Sequence, residues 1–205
     1  MHQEVLKSKQ KEIFKKIKYF SDFYLVGGTA LALQIGHRVS EDFDFFRNKE
    51  LDKKFISKIY QVFRDYNIKF SLRHSEQMNF EVDSVKFNFV KYPYSLIFKL
   101  KKIRNIRLAS VQEIALMKAF TLGRRATLKD YVDLYFILKE KIMSLDKILK
   151  GCEKKYKNEF NDRLFLEELT YLEDVGASGI EFLKKPVTKI QMLKFFEKEI
   201  SKIKL

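Results

Sequence analysis

The sequence predicts an α/β (α+β) fold, with a mixed sheet and flanking helices up to about residue 108 and a helical half after it. Three observations carry this. An apolar run, 23–26, leads through Gly27-Gly28 into a second apolar stretch, 29–35, in the order strand, tight turn, helix. Apolar and polar residues alternate in 42–46, 68–74, 78–82 and 85–90, which is the period of a half-buried strand. Past residue 108 the spacing changes to three and four, the period of a helix. With no repeat or low-complexity stretch, the 205 residues divide into a sheet domain, 1–108, and a helical domain, 109–205, expected to pack on it.

The elements follow in order. Leu6, Ile13, Phe14, Ile17 and Phe20 fall at helical spacing and predict an amphipathic opening helix. A strand over 23–26 and a helix over 29–35 come next, joined by the two glycines. Asp42 and Asp44 lie on the following strand. Positions i and i+2 share one face, so both project together while Phe43 and Phe45 turn to a core. Asp52 opens a helix with Phe55, Ile56, Ile59, Val62 and Phe63 on one stripe. The strand 68–74 and a hairpin, 78–82 with 85–90 around Asp83-Ser84, complete the sheet. Ser110 and Glu113 form a capping box for a helix over 114–122, and Gly123 is its C′ stop. Thr127 caps the next helix, whose buried face is Tyr131, Leu134, Tyr135 and Leu138. Helices near 161–174 and 187–203 close the chain.

Hydrophobic residues make up 46% and aromatics 15%, so the chain can bury a core and is not disordered. Its single cysteine, Cys152, excludes an internal disulfide and fits a reducing cytosol. The first residues hold no apolar leader, and no run approaches the ~18 apolar residues of a membrane span. A cytoplasmic protein with no membrane partner is expected. The net charge of +14, from 41 Lys+Arg against 27 Asp+Glu, favours polyanionic partners such as RNA. A compositional bias toward Lys, Ile, Phe and Asn is the competing account of the same charge.

Asp42 and Asp44 follow the Gly27-Gly28 pair after thirteen intervening residues. Two adjacent carboxylates repel unless a cation lies between them, and hard cations such as Mg2+ are held by one or two carboxylates plus substrate phosphates. Glycines let the backbone approach an anion closely, and the next helix N-terminus offers N–H groups and a positive dipole end to phosphate. Carboxylates for a metal beside a phosphate cradle read as nucleotide chemistry. With only His2, His37 and His74, a zinc site is not expected, and no Ser-His-Asp set, P-loop or C-x-x-C points to another enzyme class.

This pattern resembles the nucleotidyltransferase superfamily with the polymerase β-like fold, whose signature is a G-[GS] turn followed by D-x-D. It is most similar to the AbiEii/AbiGii toxin family within that superfamily. The matching segments are Gly27-Gly28-Thr29-Ala30-Leu31-Ala32-Leu33, Gly36-His37-Arg38, Ser40 and Asp42-Phe43-Asp44-Phe45-Phe46. Tyr92-Pro93-Tyr94, Ser110-Val111-Gln112-Glu113-Ile114-Ala115, Met117-Lys118 and Lys129-Asp130-Tyr131-Val132-Asp133-Leu134 follow in order, so the likeness spans residues 22–140. The resemblance implies a metal-dependent nucleotidyltransferase acting as the toxin of a toxin–antitoxin or abortive-infection (phage-defence) pair, with a cognate antitoxin. Asp42 and Asp44 would hold Mg2+ (or Mn2+). Gly27, Gly28 and Thr29 would cradle the NTP, with His37, Arg38 and Ser40 beside it. The acceptor would be an RNA end, with tRNA the expected kind.

The same resemblance places Lys118, Asp130 and Asp133 among the catalytic groups, and Arg124, in the loop after Gly123, is expected to contact phosphate. Read as residues, each has a plainer account. Lys118 lies between Met117 and Ala119 on an apolar helix, where its stem can simply cover the core. Asp130 and Asp133 share a helix face, and Asp130 also suits the helix dipole. Arg124 and Arg125 follow Gly123 and can be solvated charges. One departure stands out. The superfamily usually carries a third carboxylate on a neighbouring strand, and the slot here is Phe87-Asn88-Phe89. Glu81, opposite Lys86, either replaces that acid or forms a plain cross-strand pair. Asn88 leaves room for a catalytically weak nucleotide- or RNA-binding regulator, and transfer to a protein or small molecule is a second alternative.

Overall fold

Phe43, Phe45, Phe87 and Phe89 alternate with polar residues along two strands, and each is buried with at most 1% of its surface exposed. A computed structural model of the protein describes residues 1–103, 105–176 and 179–203. These residues form two units: Met1–Tyr94 with Lys99–Ala109, and Ser95–Phe98 with Ser110–Leu205. The first unit contains seven described strands: β1 (Tyr24–Val26), β2 (Phe43–Arg47), β3 (Ile68–Arg73), β4 (Gln77–Val82), β5 (Val85–Lys91), β6 (Lys101–Ile103) and β7 (Ile106–Leu108). Its helices are α1 (Ser8–Phe14), α2 (Gly27–Ile35) and α3 (Lys53–Val62).

The strands form one sheet in the order β3-β4-β5-β2-β1-β7-β6. β2 runs parallel to β5 and antiparallel to β1, and β1 runs parallel to β7, so the sheet is mixed. One face is a slab of phenylalanine. Phe80 stacks on Phe87 with ring centroids 5.2 Å apart, Phe45 on Phe89 at 4.7 Å, and Phe20 and Phe55 meet Phe89 edge-on. Asp52 caps α3 by accepting from the Phe55 N–H at 2.9 Å, which turns Phe55, Ile59 and Phe63 into this slab.

Several expectations need correction. The opening helix is three short pieces, a 3-10 turn Gln3–Val5, then α1, then a 3-10 turn Ile17–Tyr19, although Leu6, Ile13, Phe14, Ile17 and Phe20 are all buried as expected. A 3-10 turn eclipses i and i+3, which brings Ile17 and Phe20 to the same side. α2 starts at Gly27 and not at Thr29, so the glycines form its first turn. The pair β6 and β7 has no separate signal in the sequence. Each strand is three residues long, and Lys101-Lys102 breaks any apolar alternation.

The second unit is helical: α4 (Val111–Leu122), α5 (Leu128–Lys139), α6 (Leu145–Tyr156), α7 (Asp162–Thr170) and α8 (Lys189–Ile200). The capping box at α4 is half made. Ser110 accepts from the Glu113 N–H at 3.2 Å, but the buried Glu113 carboxylate is engaged elsewhere. Its Oε2 accepts from the N–H groups of Ile97 (3.0 Å) and Phe98 (2.9 Å), and its Oε1 pairs with Lys155 Nζ at 2.6 Å. Lys155 in turn donates to the Ser95 carbonyl at 2.6 Å. Gly123 ends α4 with φ −69°, a conformation open to any residue, so it is not a left-handed C′ stop. The helix α6 was not expected, although Leu145, Ile148, Cys152 and Tyr156 form its buried stripe. Among the described residues no helix is long and apolar enough to cross a membrane.

Candidate active site

Strand register sets the site in the first unit. Val26, the last residue of β1, lies opposite Asp44 on β2, and Asp44 lies beside Asn88 on β5. Asn88 in turn faces Asn79 on β4. Burial alternates across these strands, so Asp44, Asn88 and Asn79 occupy the polar face and the phenylalanines the other. Because Gly27 directly follows Val26, this register brings Asp44 to the start of α2. Gly27 has φ +68°, and a Cβ built there would overlap Asp44 Oδ2. Only glycine admits both that conformation and that carboxylate. Asn88 Nδ2 donates to Asp44 Oδ1 at 2.8 Å and fixes the carboxylate from the other side.

Asp42 lies one residue before β2 rather than within it. Its backbone is nonetheless fixed, because the buried Thr29 hydroxyl donates to the Asp42 carbonyl and lies 2.9 Å from Ser40 Oγ. Both aspartates are partly exposed. Arg38 is buried, donates to the Val39 carbonyl at 3.0 Å, and lies so close to Gly28 that a Cβ there would stand 2.5 Å from Nη2. A buried guanidinium against the first turn of α2 concentrates positive potential where helix N–H groups and dipole already favour an anion. His37 is fully buried. Gly27, Gly28, Thr29, Arg38, Ser40, Asp42 and Asp44 are thus brought together.

The donor chemistry here fits a hard divalent ion. Two carboxylates and a carboxamide offer only hard oxygen ligands, and one carboxylate is held against bare glycine backbone. Glu81 does not join them. It lies opposite Lys86, one pleat further along β4 than Asn79. Among the described residues no three Asp, Glu, His or Cys side chains cluster as a ready metal site.

In the second unit, Lys118 Nζ on α4 lies 2.7 Å from both Asp130 Oδ1 and Asp133 Oδ2 on α5. One ammonium faces two carboxylates, with Asp133 fully buried and Asp130 nearly so. Asp130 also closes a capping box with Thr127, whose hydroxyl lies 2.7 Å from Asp130 Oδ2. The expectation that Asp130 and Asp133 share a face holds, and Lys118 is explained by neither a core-covering stem nor a bare cleft. Arg124 is half exposed, its guanidinium 3.7 Å from the centroid of Phe120 and 3.8 Å from Glu159. Arg125 is exposed. The buried Glu113–Lys155 pair was missed, although Lys155 falls on the apolar stripe of α6 just as Lys118 does on α4.

Comparison with known proteins adds three findings. The family model described as the nucleotidyl transferase AbiEii toxin of type IV toxin–antitoxin systems matches residues 12–203. An uncharacterized protein of Aquifex aeolicus is 31% identical over 202 residues, covering 95% of this chain and 96% of its own. Two solved structures share the fold. A presumptive nucleotidyltransferase from Helicobacter pylori has a TM-score of 0.61 at 19% identity, covering 95% of this chain and 94% of its own. MenT4, a nucleotidyltransferase toxin from Mycobacterium tuberculosis, has a TM-score of 0.60 at 14% identity, covering 94% and 82%.

Proposed function

The chain belongs to the AbiEii nucleotidyltransferase toxin family of type IV toxin–antitoxin systems, and from that premise we propose that it transfers a nucleotide from an NTP to an RNA end, tRNA being the expected acceptor. Membership implies a nucleotide substrate and a cognate antitoxin; the acceptor, the metal and the residue roles are this proposal. The observation that carries it is the Asp44 carboxylate seated on the Gly27 turn, beside the buried Arg38 against Gly28. That arrangement sets acid oxygens and a phosphate-attracting turn next to each other.

In this reading Asp42 and Asp44 hold Mg2+ or Mn2+, with Asn88 orienting Asp44. The bound ion supplies charge stabilisation for the phosphoryl group in transfer. The N–H groups of Gly27, Gly28 and Thr29 receive the triphosphate. Arg38 raises the local potential for the departing pyrophosphate, while Ser40 and Thr29 hold the Asp42 backbone in place. Buried His37 supports this segment. Lys118, Asp130 and Asp133 of the second unit, a buried ammonium between two carboxylates, are the further groups this reading assigns to the reaction.

The test is incubation of the purified protein with total cellular RNA and each labelled NTP, with Mg2+ or Mn2+. Labelled RNA is expected from the native protein and not from Asp42→Ala or Asp44→Ala, both of which should stay folded because each aspartate is partly exposed and outside the phenylalanine core. The amide at position 88 favours a second reading, a catalytically weak nucleotide- or RNA-binding regulator. NTP or RNA binding with no label transferred to RNA, protein or small molecule would select it.

A further inference from the structure

Phe120 is the middle layer of a three-part stack within the helical unit. Its ring lies 3.8 Å from Tyr156, nearly parallel at 9°, and the Arg124 guanidinium covers it at 3.7 Å from the centroid. Next to this stack is a cavity of about 230 Å³ lined by Phe120, Arg124, Glu159, Phe160, Leu164 and Phe165. Its size is below the ~300–1,000 Å³ of sites that enclose a drug-sized ligand, so it suits a single flat ring system. Its described walls are mainly aromatic and aliphatic, with the Asn161 amide among them, and the Arg124 charge is balanced by the Glu159 carboxylate 3.8 Å away. Balanced charge does not select a free phosphate. Apolar walls with a stacked guanidinium are how unpaired bases are held.

The cavity is also separate from the Lys118 cluster. Residues two apart on a helix lie about 200° around its axis, so Phe120 and Lys118 occupy opposite sides of α4. We propose that the Phe120–Arg124 cavity is a nucleobase-binding site, distinct from the Lys118 group, in which Arg124 stacks on the base and does not grip phosphate. The ligand class, a nucleobase, rests on the nucleotide-transfer reading. Its source is a free nucleotide or an unpaired base of an RNA strand.

The experiment measures binding to the full chain by calorimetry, using the four nucleoside monophosphates, a short single-stranded RNA and ribose 5-phosphate. It compares the native protein with Phe120→Leu, which keeps apolar volume and removes the ring, and Arg124→Lys, which keeps charge and removes the plane. Melting temperatures confirm that both variants fold. Binding of mononucleotides or RNA is expected to weaken about tenfold in Arg124→Lys, the scale of one lost base stack, and by less in Phe120→Leu, which removes the ring that holds the Arg124 plane, with ribose 5-phosphate unaffected. Loss with mononucleotides identifies a free nucleotide as the source, and loss with RNA alone identifies the strand. Folded variants that bind all probes as the native protein does, or a native protein that binds neither nucleotide nor RNA, overturn the proposal. Asp44→Ala, expected to lose transfer, is expected to keep base binding, so the two readings fail separately. Base binding retained without any transfer in native protein defeats the transferase assignment and leaves the cavity assignment standing.

Discussion

Asn88 donates its amide to Asp44 at 2.8 Å and so holds that carboxylate without adding charge. Asn88→Asp would place two carboxylates at that separation, where both ionise only at a cost unless a cation joins them. The variant is expected to melt below the native protein in EDTA and to recover in millimolar Mg2+. A melting temperature indifferent to Mg2+ would count against a metal at Asp42 and Asp44. Lys118 sets a different problem. With Asp130 and Asp133 each 2.7 Å from its ammonium, Lys118→Met leaves two buried carboxylates facing each other, at a cost of about 3–5 kcal/mol. Loss of transfer in that variant alone says little. The triple variant Lys118→Met, Asp130→Asn, Asp133→Asn should regain most of the stability. If it also regains transfer, these three groups hold the helices together and have no part in the chemistry.

At the scale of elements, the hairpin between β4 and β5 turns through Asp83 (φ +45°) and Ser84 (φ +68°), a pair of left-handed residues where glycine or asparagine is usual. Asp83 is held there by Lys9 at 2.9 Å and by the Asn67 N–H at 3.0 Å, and Lys9 first, then that N–H, keep its carboxyl below the usual range. A lowered folded pKa stabilises above the ordinary value of 3.8, and the contribution fades as pH falls through the lower folded value. Asp83→Asn should therefore melt below the native protein at neutral pH, with the gap closing only as the pH drops below that range. A gap independent of pH would assign the effect to turn shape alone.

This hairpin was readable because Met78, Phe80 and Val82 on β4 and Val85, Phe87 and Phe89 on β5 alternate with polar residues, and a slip by one residue would turn these side chains to solvent. The G-G turn and the D-x-D pair were readable for the same reason, being short and local. The opening helix was misjudged because periodicity reports which residues are buried, not whether the backbone between them stays α-helical. α6 was hidden by Lys147, Lys150, Lys154 and Lys155 among its apolar positions. The partners of Lys118 and Glu113 were out of reach, since ion pairs 12 and 42 residues apart leave no local trace.

The whole molecule carries a net charge of +14, and composition alone leaves two accounts of it. Salt separates them. A protein that neutralises RNA phosphates should lose about tenfold in affinity for every two phosphates contacted between ~50 and ~200 mM salt, because condensed counterions are released on binding. A slope near zero, or no binding at low salt, would leave the lysines as compositional bias and remove RNA as the expected acceptor.

The Glu113 clamp on Ile97 and Phe98 has a consequence for how such a chain can evolve. The polypeptide leaves the first unit at Tyr94, lends Ser95–Phe98 to the second, returns for Lys99–Ala109 and then crosses over for good. A gene cut after Ala109 would strand Ile97 and Phe98 without their acceptor, and in the downstream piece the Glu113–Lys155 pair would stay buried without the Ser95–Phe98 backbone it holds. Fusion or recombination at the obvious junction therefore yields two damaged halves. The interleaved thread predicts that an exchange of one unit for a related one will be tolerated only if residues 95–98 travel with the helical unit.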